Sequence, residues 1–510
     1  MRSACSPESI RYWSKLISEC IKLHPKCPKN IEVPLPSRLI DIGSSENPSN
    51  PRLIDAKDMK GRYIALSYCW GQPSSSNPPN ITTTPTNLTQ MSQGIAEASL
   101  PRTVRDAIFV ARSLKVRYIW IDAICILQGP SPEARQDWLL ESGRMADVYQ
   151  NAYVTLAAAN SDSVHAGFLH NRCPSGPSRV KLSFKRIKDY HPHSIFLGFP
   201  EVDYGSDFLD DPITERGWTF QERLLSTRLL VFGTREFGWE CREASEHECG
   251  EPLSPINEMW LNNMRNALVQ NTSIEWISLV LQYSHRKLTN ASDKLPAIAS
   301  LALHHHQRPE RTGDVYLAGC WRDTLTDDLL WTSHPKVKQV HVEDYRAPSW
   351  SWAAIDAPVI YNEVSGEPFC KLLDFSLQNI GPSNYGPISS GWIRLNGPLQ
   401  EIFVFAANPY PVFLCQGRNK ELRSWGAASL DVVEAKGIDT NRNNTFRVNG
   451  ALAAYADNFW ALRVKGEHVL LLGRRGKQSN EIFIRIGIGE LTGYGSEQFQ
   501  SVEKRTVTIT

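Results

Sequence analysis

Apolar runs and amphipathic stretches alternate between residues 62 and 159, the part of the chain with the most regular pattern. An amphipathic stretch begins at Pro101, where a missing backbone N–H costs a helix nothing, and a second one covers residues 133–149. Strand, helix, strand, helix and strand in this order predict a parallel sheet covered by helices. The three predicted buried strands are Tyr63–Ser67, Tyr118–Ile121 and Tyr153–Ala158.

The rest of the chain divides into segments with other patterns. Residues 1–58 predict a helix followed by an extended segment that prolines interrupt. Residues 241–347 form a predicted helical region, with Val315–Leu330 as one of its helices. Residues 348–510 carry short alternating runs between Gly, Pro and Asn, which predict a β-rich region. The α/β core is therefore expected over residues 59–240.

Composition narrows the class of protein. Of the 510 residues 41% are hydrophobic, which is enough for a substantial core and excludes a disordered chain. Lys and Arg total 55 against 54 Asp and Glu, and this balance argues against a nucleic-acid partner. No apolar run is long enough to span a bilayer, so no membrane partner is expected. Eleven scattered cysteines without a secretory signal predict reduced thiols in a cytosolic or nuclear protein, and a cytoplasmic location is expected.

Polar and aromatic residues follow the first two predicted strands. Ser67, Tyr68 and Trp70 lie at the end of the first strand, and Asp122 and Cys125 follow the second. Because ligands bind beyond the carboxyl ends of parallel strands, Asp122 is a catalytic candidate and the other four are ligand-binding candidates. The alternatives are that Asp122 caps the following turn and that Trp70 closes the core.

A compact block over residues 216–223 supplies further candidates. Arg216 and Glu222 are predicted to be catalytic, and Trp218 between them is predicted to bind the ligand. A guanidinium offers a planar fork to carboxylate or phosphate. Arg216 therefore either binds a ligand or forms an internal ion pair that holds the segment on the sheet.

Cys20, His24 and Cys27 are spaced like neighbours on one helical face and could offer three soft ligands to zinc. A structural zinc site normally has four ligands, and Pro25 kinks this face. No metal site is therefore predicted. Cys241, His247 and Cys249 form a second, looser cluster further along the chain.

Four blocks of sequence stand out in the core: YIALSYCWG from residue 63, LPRTVRDAIFVARSLKVRYIWIDAICILQ from 100, DWLLESGRMADVYQNAYVTLAA from 137 and RGWTFQERLLSTRLLVF from 216. In order and spacing they resemble the motif series of the fungal heterokaryon-incompatibility (HET) domain. The resemblance implies a core related to Toll/interleukin-receptor (TIR) domains, that is, a TIR-like or flavodoxin-like parallel sheet, here with a helical insertion and a C-terminal β-rich region. It also implies non-self recognition that ends in growth arrest or cell death, with self-association or a protein partner.

The same resemblance implies an activity and a fourth catalytic candidate. TIR domains that cleave NAD carry a glutamate on a comparable helix shortly after a tryptophan, and Glu141 follows Trp138 here. The spacing is one residue shorter than in those enzymes, so Glu141 either stabilises an oxocarbenium-like centre, points elsewhere or is a solvated helix residue. NAD is a candidate substrate, and no cofactor is predicted. The alternative functions are a small-molecule enzyme of a fungal biosynthetic gene cluster and a binding module without chemistry.

Overall fold

The computed structural model of the chain folds as two compact units, Met1–Ser273 and Ile274–Thr510. None of the helices that it describes is both long and apolar enough to cross a bilayer. The described residues are 5–29, 31–72, 79–170, 180–184, 193–197, 211–234, 237–247, 264, 275–333, 345–361, 364–406, 412–415, 421–422, 425–431, 445–448, 451–474 and 482–510.

The first unit combines one large sheet with helices. Its strands are β1 (Val33–Pro34), β2 (Arg38–Gly43), β3 (Pro48–Asp55), β4 (Lys60–Gly61), β5 (Tyr63–Ser67), β6 (Tyr118–Trp120), β7 (Val154–Ala157), β8 (Val180–Phe184), β9 (His193–Leu197), β10 (Arg228–Phe232), β11 (Phe237–Cys241) and β12 (Ser245–His247). Its helices are α1 (Pro7–Leu23), α2 (Leu88–Gln93), α3 (Arg102–Ser113), α4 (Asp122–Cys125), α5 (Pro132–Ser142), α6 (Met145–Asn151) and α7 (Trp218–Leu225), with short 3₁₀ turns at Glu97–Ser99 and Pro212–Glu215.

Eight of the described strands form this sheet, in the order β12-β11-β10-β7-β5-β6-β2-β3. The central strands β10, β7, β5 and β6 are parallel, which confirms that the three predicted strands lie side by side. The outer strands are antiparallel, so the sheet is mixed and only its centre is the predicted parallel one. Four-residue connections join β2 to β3 and β10 to β11. These pairs are antiparallel because a parallel pair would need a crossover connection of about a dozen residues. A TIR-like core stays a prediction.

The two predicted core helices are present, with one correction. α3 begins directly after Pro101, as its pattern predicts. The stretch 133–149, predicted as one helix, is two helices, α5 and α6, which are separated at Gly143 and Arg144. A glycine inside a helix costs about 1 kcal/mol relative to alanine, which favours a break at this position. α5 begins after Ser131, whose side chain accepts a backbone hydrogen bond of the first turn.

Helix α1 packs on β10 and β11. Trp13 in α1 is fully buried, and its ring lies against Phe232 and Phe237 at centroid distances of 5.3 and 5.9 Å. The helix begins after Ser6, whose side chain accepts a hydrogen bond from the Ser9 N–H. Burying a large aromatic side chain contributes roughly 2–3 kcal/mol. The predicted N-terminal helix is therefore an integral part of the first unit.

The second unit is mainly β-structure. Its helices are α8 (Trp276–Ser284), α9 (Ala299–His306), α10 (Leu325–Asp328) and α11 (Gly493–Phe499), with 3₁₀ turns at Ala291–Lys294, Pro296–Ile298, Pro309–Arg311 and Trp352–Ala354. Its strands are β13 (Tyr316–Leu317), β14 (Cys320–Trp321), β15 (Trp331–Ser333), β16 (Val359–Tyr361), β17 (Lys371–Asn379), β18 (Ile388–Ala406), β19 (Val412–Cys415), β20 (Glu421–Leu422), β21 (Gly426–Leu430), β22 (Thr445–Val448), β23 (Ala451–Lys465), β24 (His468–Arg474), β25 (Ile482–Leu491) and β26 (Lys504–Ile509).

The β-rich region predicted near the C-terminus is confirmed as a ten-stranded, mostly antiparallel sheet that contains β17 to β26. The predicted helix Val315–Leu330 is wrong, because this stretch holds β13, β14 and the short α10. Ala318 and Gly319 between β13 and β14 have positive φ angles of 46° and 100°, which a helix does not allow. A tight hairpin therefore replaces the predicted helix.

Candidate functional site

The chain turns sharply where β5 ends. β5 is buried along its whole length up to its last residue, Ser67, and Tyr68, Cys69, Trp70 and Gly71 follow in immediate succession. Gly71 has a φ of +78°, and a Cβ atom there would lie 2.4 Å from the Cβ of Ser163. Only glycine fits this turn without strain. The turn holds the side chains of Tyr68 and Trp70 at the carboxyl end of the parallel strands.

Asp122 lies at the start of α4, directly beyond β6. The indole nitrogen of Trp70 donates a 2.9 Å hydrogen bond to Asp122 Oδ2, and the Ala123 N–H donates a 2.7 Å bond to Oδ1. The hydroxyl of Tyr68 also hydrogen-bonds this carboxylate. Burial raises the pKa of Asp122 above its ordinary value, and the charge of Arg216 opposes the rise. Asp122 thus contacts the local backbone and the aromatic groups that follow β5.

Glu222 comes from α7 and meets the end of β5. Ser67 Oγ donates a buried hydrogen bond to Glu222 Oε2, and the hydroxyl of Tyr149 also hydrogen-bonds this carboxylate. The pKa of Glu222 is raised to about 7. Burial is the largest cause, the charge of Asp122 contributes to the rise, and the charge of Arg216 opposes it. Glu222 therefore changes its charge near neutral pH.

Arg216 is the cation that faces both carboxylates. Its Nη1 donates a 3.3 Å hydrogen bond to the carbonyl oxygen of Tyr68, and its charge lowers the pKa of both Asp122 and Glu222. The guanidinium also hydrogen-bonds the Cys69 side chain. One Arg beside two carboxylates leaves an excess negative charge when both are ionised, so one of the pair holds a proton more easily.

We call this set the carboxylate cluster. It can hold a proton near neutral pH and place a negative charge beside a half-buried aromatic ring, which suits general acid–base chemistry and the stabilisation of a cationic centre. Its members are Ser67, Tyr68, Trp70, Asp122, Arg216 and Glu222.

For three predicted site residues, the contacts that the structure describes lie outside this cluster. Glu141 is buried and accepts hydrogen bonds from Ser37 Oγ at 2.8 Å and from Arg144 Nη1 at 3.3 Å. The solvated alternative for Glu141 is therefore wrong. The ring of Trp218 packs edge-on against that of Trp138.

Cys125 is the third of these residues. It is the last residue of α4, its side chain is buried, and Sγ accepts a 3.4 Å hydrogen bond from the Ile121 N–H. Burial raises its pKa to about 12. A buried thiol that stays protonated is a poor nucleophile, and ligand binding by Cys125 stays a prediction.

Two residues that support the cluster were missed in the sequence. Tyr149 is the last residue of the amphipathic stretch 133–149; its hydroxyl hydrogen-bonds Glu222 and lies 3.4 Å from the Leu66 carbonyl oxygen. Asn80 donates a 3.1 Å hydrogen bond to the Tyr68 hydroxyl from a loop without any periodic pattern. The hydroxyl of a tyrosine on a buried helical face needs a hydrogen-bond partner. That requirement was the one feature of the sequence that could have indicated a polar contact of Tyr149.

Comparison with known proteins finds one family model, and its match covers the residues of this cluster. Residues 63–222 match the family model described as Heterokaryon incompatibility protein (HET). No curated protein and no solved structure matches the chain. The matched segment begins with β5 and ends at Glu222, so it contains every member of the carboxylate cluster. The chain is thus a protein with a heterokaryon incompatibility (HET) domain, which spans residues 63–222.

Proposed function

We propose that this chain acts in fungal non-self recognition, where self-association of its HET domain leads to growth arrest or cell death through cleavage of NAD at the carboxylate cluster. The HET domain suggests a role related to heterokaryon incompatibility. One observation supports the chemical part: the two carboxylates Asp122 and Glu222 share one Arg at the carboxyl ends of parallel strands. Such ends are where α/β sheets bind ligands.

The proposed reaction breaks the bond between ribose C1′ and the nicotinamide nitrogen. The electron pair of that bond leaves with nicotinamide, which becomes neutral, and a positive charge develops on the ribose. A carboxylate stabilises this oxocarbenium-like centre, as in glycosidases. Water then adds to C1′ and transfers a proton to a carboxylate. Asp122 is half-buried and takes both roles, while the half-exposed Trp70 offers a ring face to the nicotinamide.

Glu222 acts through Asp122 as a positioning residue. It is only 5% exposed, so the carboxylate nearer to solvent is Asp122. The charge of Asp122 adds to the effect of burial in raising the pKa of Glu222, so the two carboxylates titrate as a coupled pair. Protonation of Glu222 near neutral pH therefore sets how readily Asp122 stays ionised. Arg216 beside both groups suits the diphosphate of a dinucleotide.

The test measures both cell growth and chemistry. The full chain is expressed in a fungal host from an inducible promoter, and growth and cellular NAD are followed. The purified chain is assayed for nicotinamide release over a range of protein concentrations. We expect arrest, loss of NAD and a specific rate that rises with concentration. Asp122→Asn should lower the rate by about 100-fold or more. Glu222→Gln should shift the pH profile of the rate.

The matched control is Glu240→Gln. Glu240 is as buried as Glu222 but pairs with Arg223 at another part of the sheet. This variant should keep both arrest and NAD cleavage. Normal growth at a verified level of intact protein would reject the biological role. Arrest without NAD loss, or an Asp122→Asn variant as active as the original, would reject the chemistry alone.

A further inference from the structure

We propose that the first unit contains a structural zinc site formed by Cys20, His24, Cys27 and Cys241. Their ligand atoms, three Sγ and one imidazole nitrogen, all lie within 4.8 Å of one another. In a tetrahedral zinc site with Zn–S near 2.3 Å, neighbouring ligand atoms are about 3.3–3.8 Å apart. The cluster therefore needs a contraction of about one ångström at its widest point to hold the ion.

The end of α1 explains why three of the ligands meet. α1 ends at Leu23, and His24 has extended backbone angles, which the following Pro25 favours. The Cys27 N–H then donates a 3.2 Å hydrogen bond to the His24 carbonyl oxygen. The kink at Pro25, taken from the sequence as an argument against a metal site, is thus the feature that turns Cys27 back towards Cys20.

The fourth ligand comes from a distant part of the chain. Cys241 is the last residue of β11, and its Sγ lies 3.2 Å from His24 Nδ1 across a separation of 217 residues. Three cysteines and one histidine are a known ligand set for structural zinc. Thiolate sulfur with imidazole nitrogen also favours zinc over calcium and magnesium, which prefer oxygen ligands.

The environment of the sulfur atoms fits thiolates. The Glu243 and Ala244 N–H groups donate to Cys241 Sγ at 3.5 and 3.3 Å. Arg228 is 3% exposed, and its Nε lies 3.3 Å from Cys20 Sγ. Zinc with three thiolates carries one net negative charge, which this guanidinium balances. Hydrogen bonds of this kind orient metal ligands and are part of a metal site.

A disulfide explains the arrangement less well. Cys20, Cys27 and Cys241 are all buried and all free. The thiol of Cys20 contacts both of the others, so any single disulfide would leave one buried thiol and the imidazole unused. Four ligands around one point are what a tetrahedral ion requires. The bound ion would link the end of α1 to the hairpin of β11 and β12. Its role would be structural, unlike that of the carboxylate cluster.

The first measurement is the metal content of the purified full chain by mass spectrometry. We expect one zinc per chain, released when the thiols are titrated with a mercurial reagent. Cobalt in place of zinc should give the absorption bands of a tetrahedral cobalt–thiolate site. Cys27→Ser and Cys241→Ser should lose the metal, whereas His24→Cys, which supplies a fourth sulfur, should keep it. The control Cys370→Ser removes a buried thiol outside the cluster and should keep the full equivalent.

Three results would overturn the proposal. The first is an original chain that holds no zinc after refolding with excess zinc and dialysis. The second is a full equivalent of zinc in Cys241→Ser. The third is a disulfide among the three cysteines in chain isolated without oxidant. The serine variants could fail to fold. Zinc release and the cobalt spectrum are therefore measured on the unsubstituted chain, and these two results test the zinc site without the variants.

Discussion

The indole of Trp70 and the carboxylate of Asp122 meet across the ends of two adjacent parallel strands, with 2.9 Å between Nε1 and Oδ2. Trp70 follows β5 and Asp122 follows β6. A hydrogen bond to the ionised form of a carboxylate favours that form. Trp70 therefore favours the ionised form of the half-buried Asp122 and also forms one side of the carboxylate cluster.

Trp70→Phe should remove this bond and keep an aromatic ring. We expect the pKa of Asp122 to rise further above its ordinary value, since burial already raises it and the indole opposes that rise. The free energy of unfolding should fall by about 1–3 kcal/mol, the cost of an unsatisfied buried acceptor. Carboxyl-carbon NMR titration and urea unfolding measure the two effects. Trp218→Phe is the control and should leave the pKa of Asp122 unchanged, because the hydrogen bonds that act on this pKa come from Trp70, Tyr68 and the Ala123 N–H.

The titration of Glu222 should make stability depend on pH. Its pKa rises from 4.5 to about 7 on folding, so between these values the folded chain keeps a proton that the unfolded chain releases. The stabilising difference is complete below pH 4.5 and is lost as pH rises through 7. The loss is at most about 3 kcal/mol. Glu222→Gln should flatten this part of the curve in unfolding experiments from pH 4.5 to 8. An identical slope in the variant would contradict the prediction, and Glu240→Gln should keep the original slope.

Gly71→Ala should destabilise the turn beyond β5. The positive φ and the contact of the new Cβ with Ser163 both oppose the substitution, and we expect a loss of about 2–3 kcal/mol in the free energy of unfolding. Gly129→Ala is the matched control. Gly129 also has a positive φ, of 115°, but no atom lies within 4 Å of its added Cβ. Its loss should be only about 1 kcal/mol, and equal losses would show that the contact with Ser163 costs nothing.

Asp431→Asn should strongly destabilise the second unit. Arg485 is fully buried, and its Nε donates a 2.8 Å hydrogen bond to Asp431 Oδ2. Removing the carboxylate charge leaves a buried guanidinium without its counterion, which costs about 3–5 kcal/mol. Asp374→Asn breaks a pair with Arg394 in which both side chains are about half exposed, and it should cost less than about 1 kcal/mol. Thermal unfolding of both variants checks the difference, and similar losses would contradict it.

The centre of the first sheet could be predicted because strands buried on both faces are runs of apolar residues, as in Tyr63–Ser67 and Val154–Ala157. The convergence of Trp70 and Asp122 followed from the rule that parallel strands end at one edge. The antiparallel outer strands could not be predicted, because their short edges such as Ser245–His247 carry no distinct pattern.

Contacts between segments that are distant in the sequence were the second feature that could not be predicted. Ser67 and Glu222 are 155 residues apart, and His24 and Cys241 are 217 apart. Sequence spacing identifies neighbours on one helix or strand but gives no distance between elements. Glu222 could therefore be named as a candidate without its partner, and the first three cysteine and histidine ligands could be named without the fourth.

A fragment cut at the borders of the family match would not preserve the sheet. Residues 63–222 contain β5, β6 and β7, whereas β2, β3, β10, β11 and β12 lie outside them. Truncation there would turn β6 and β7 into bare edges, which are prone to aggregation, and would remove α1. Recombinant versions of this domain should therefore include the whole first unit, Met1–Ser273, which contains α1 and every strand of this sheet.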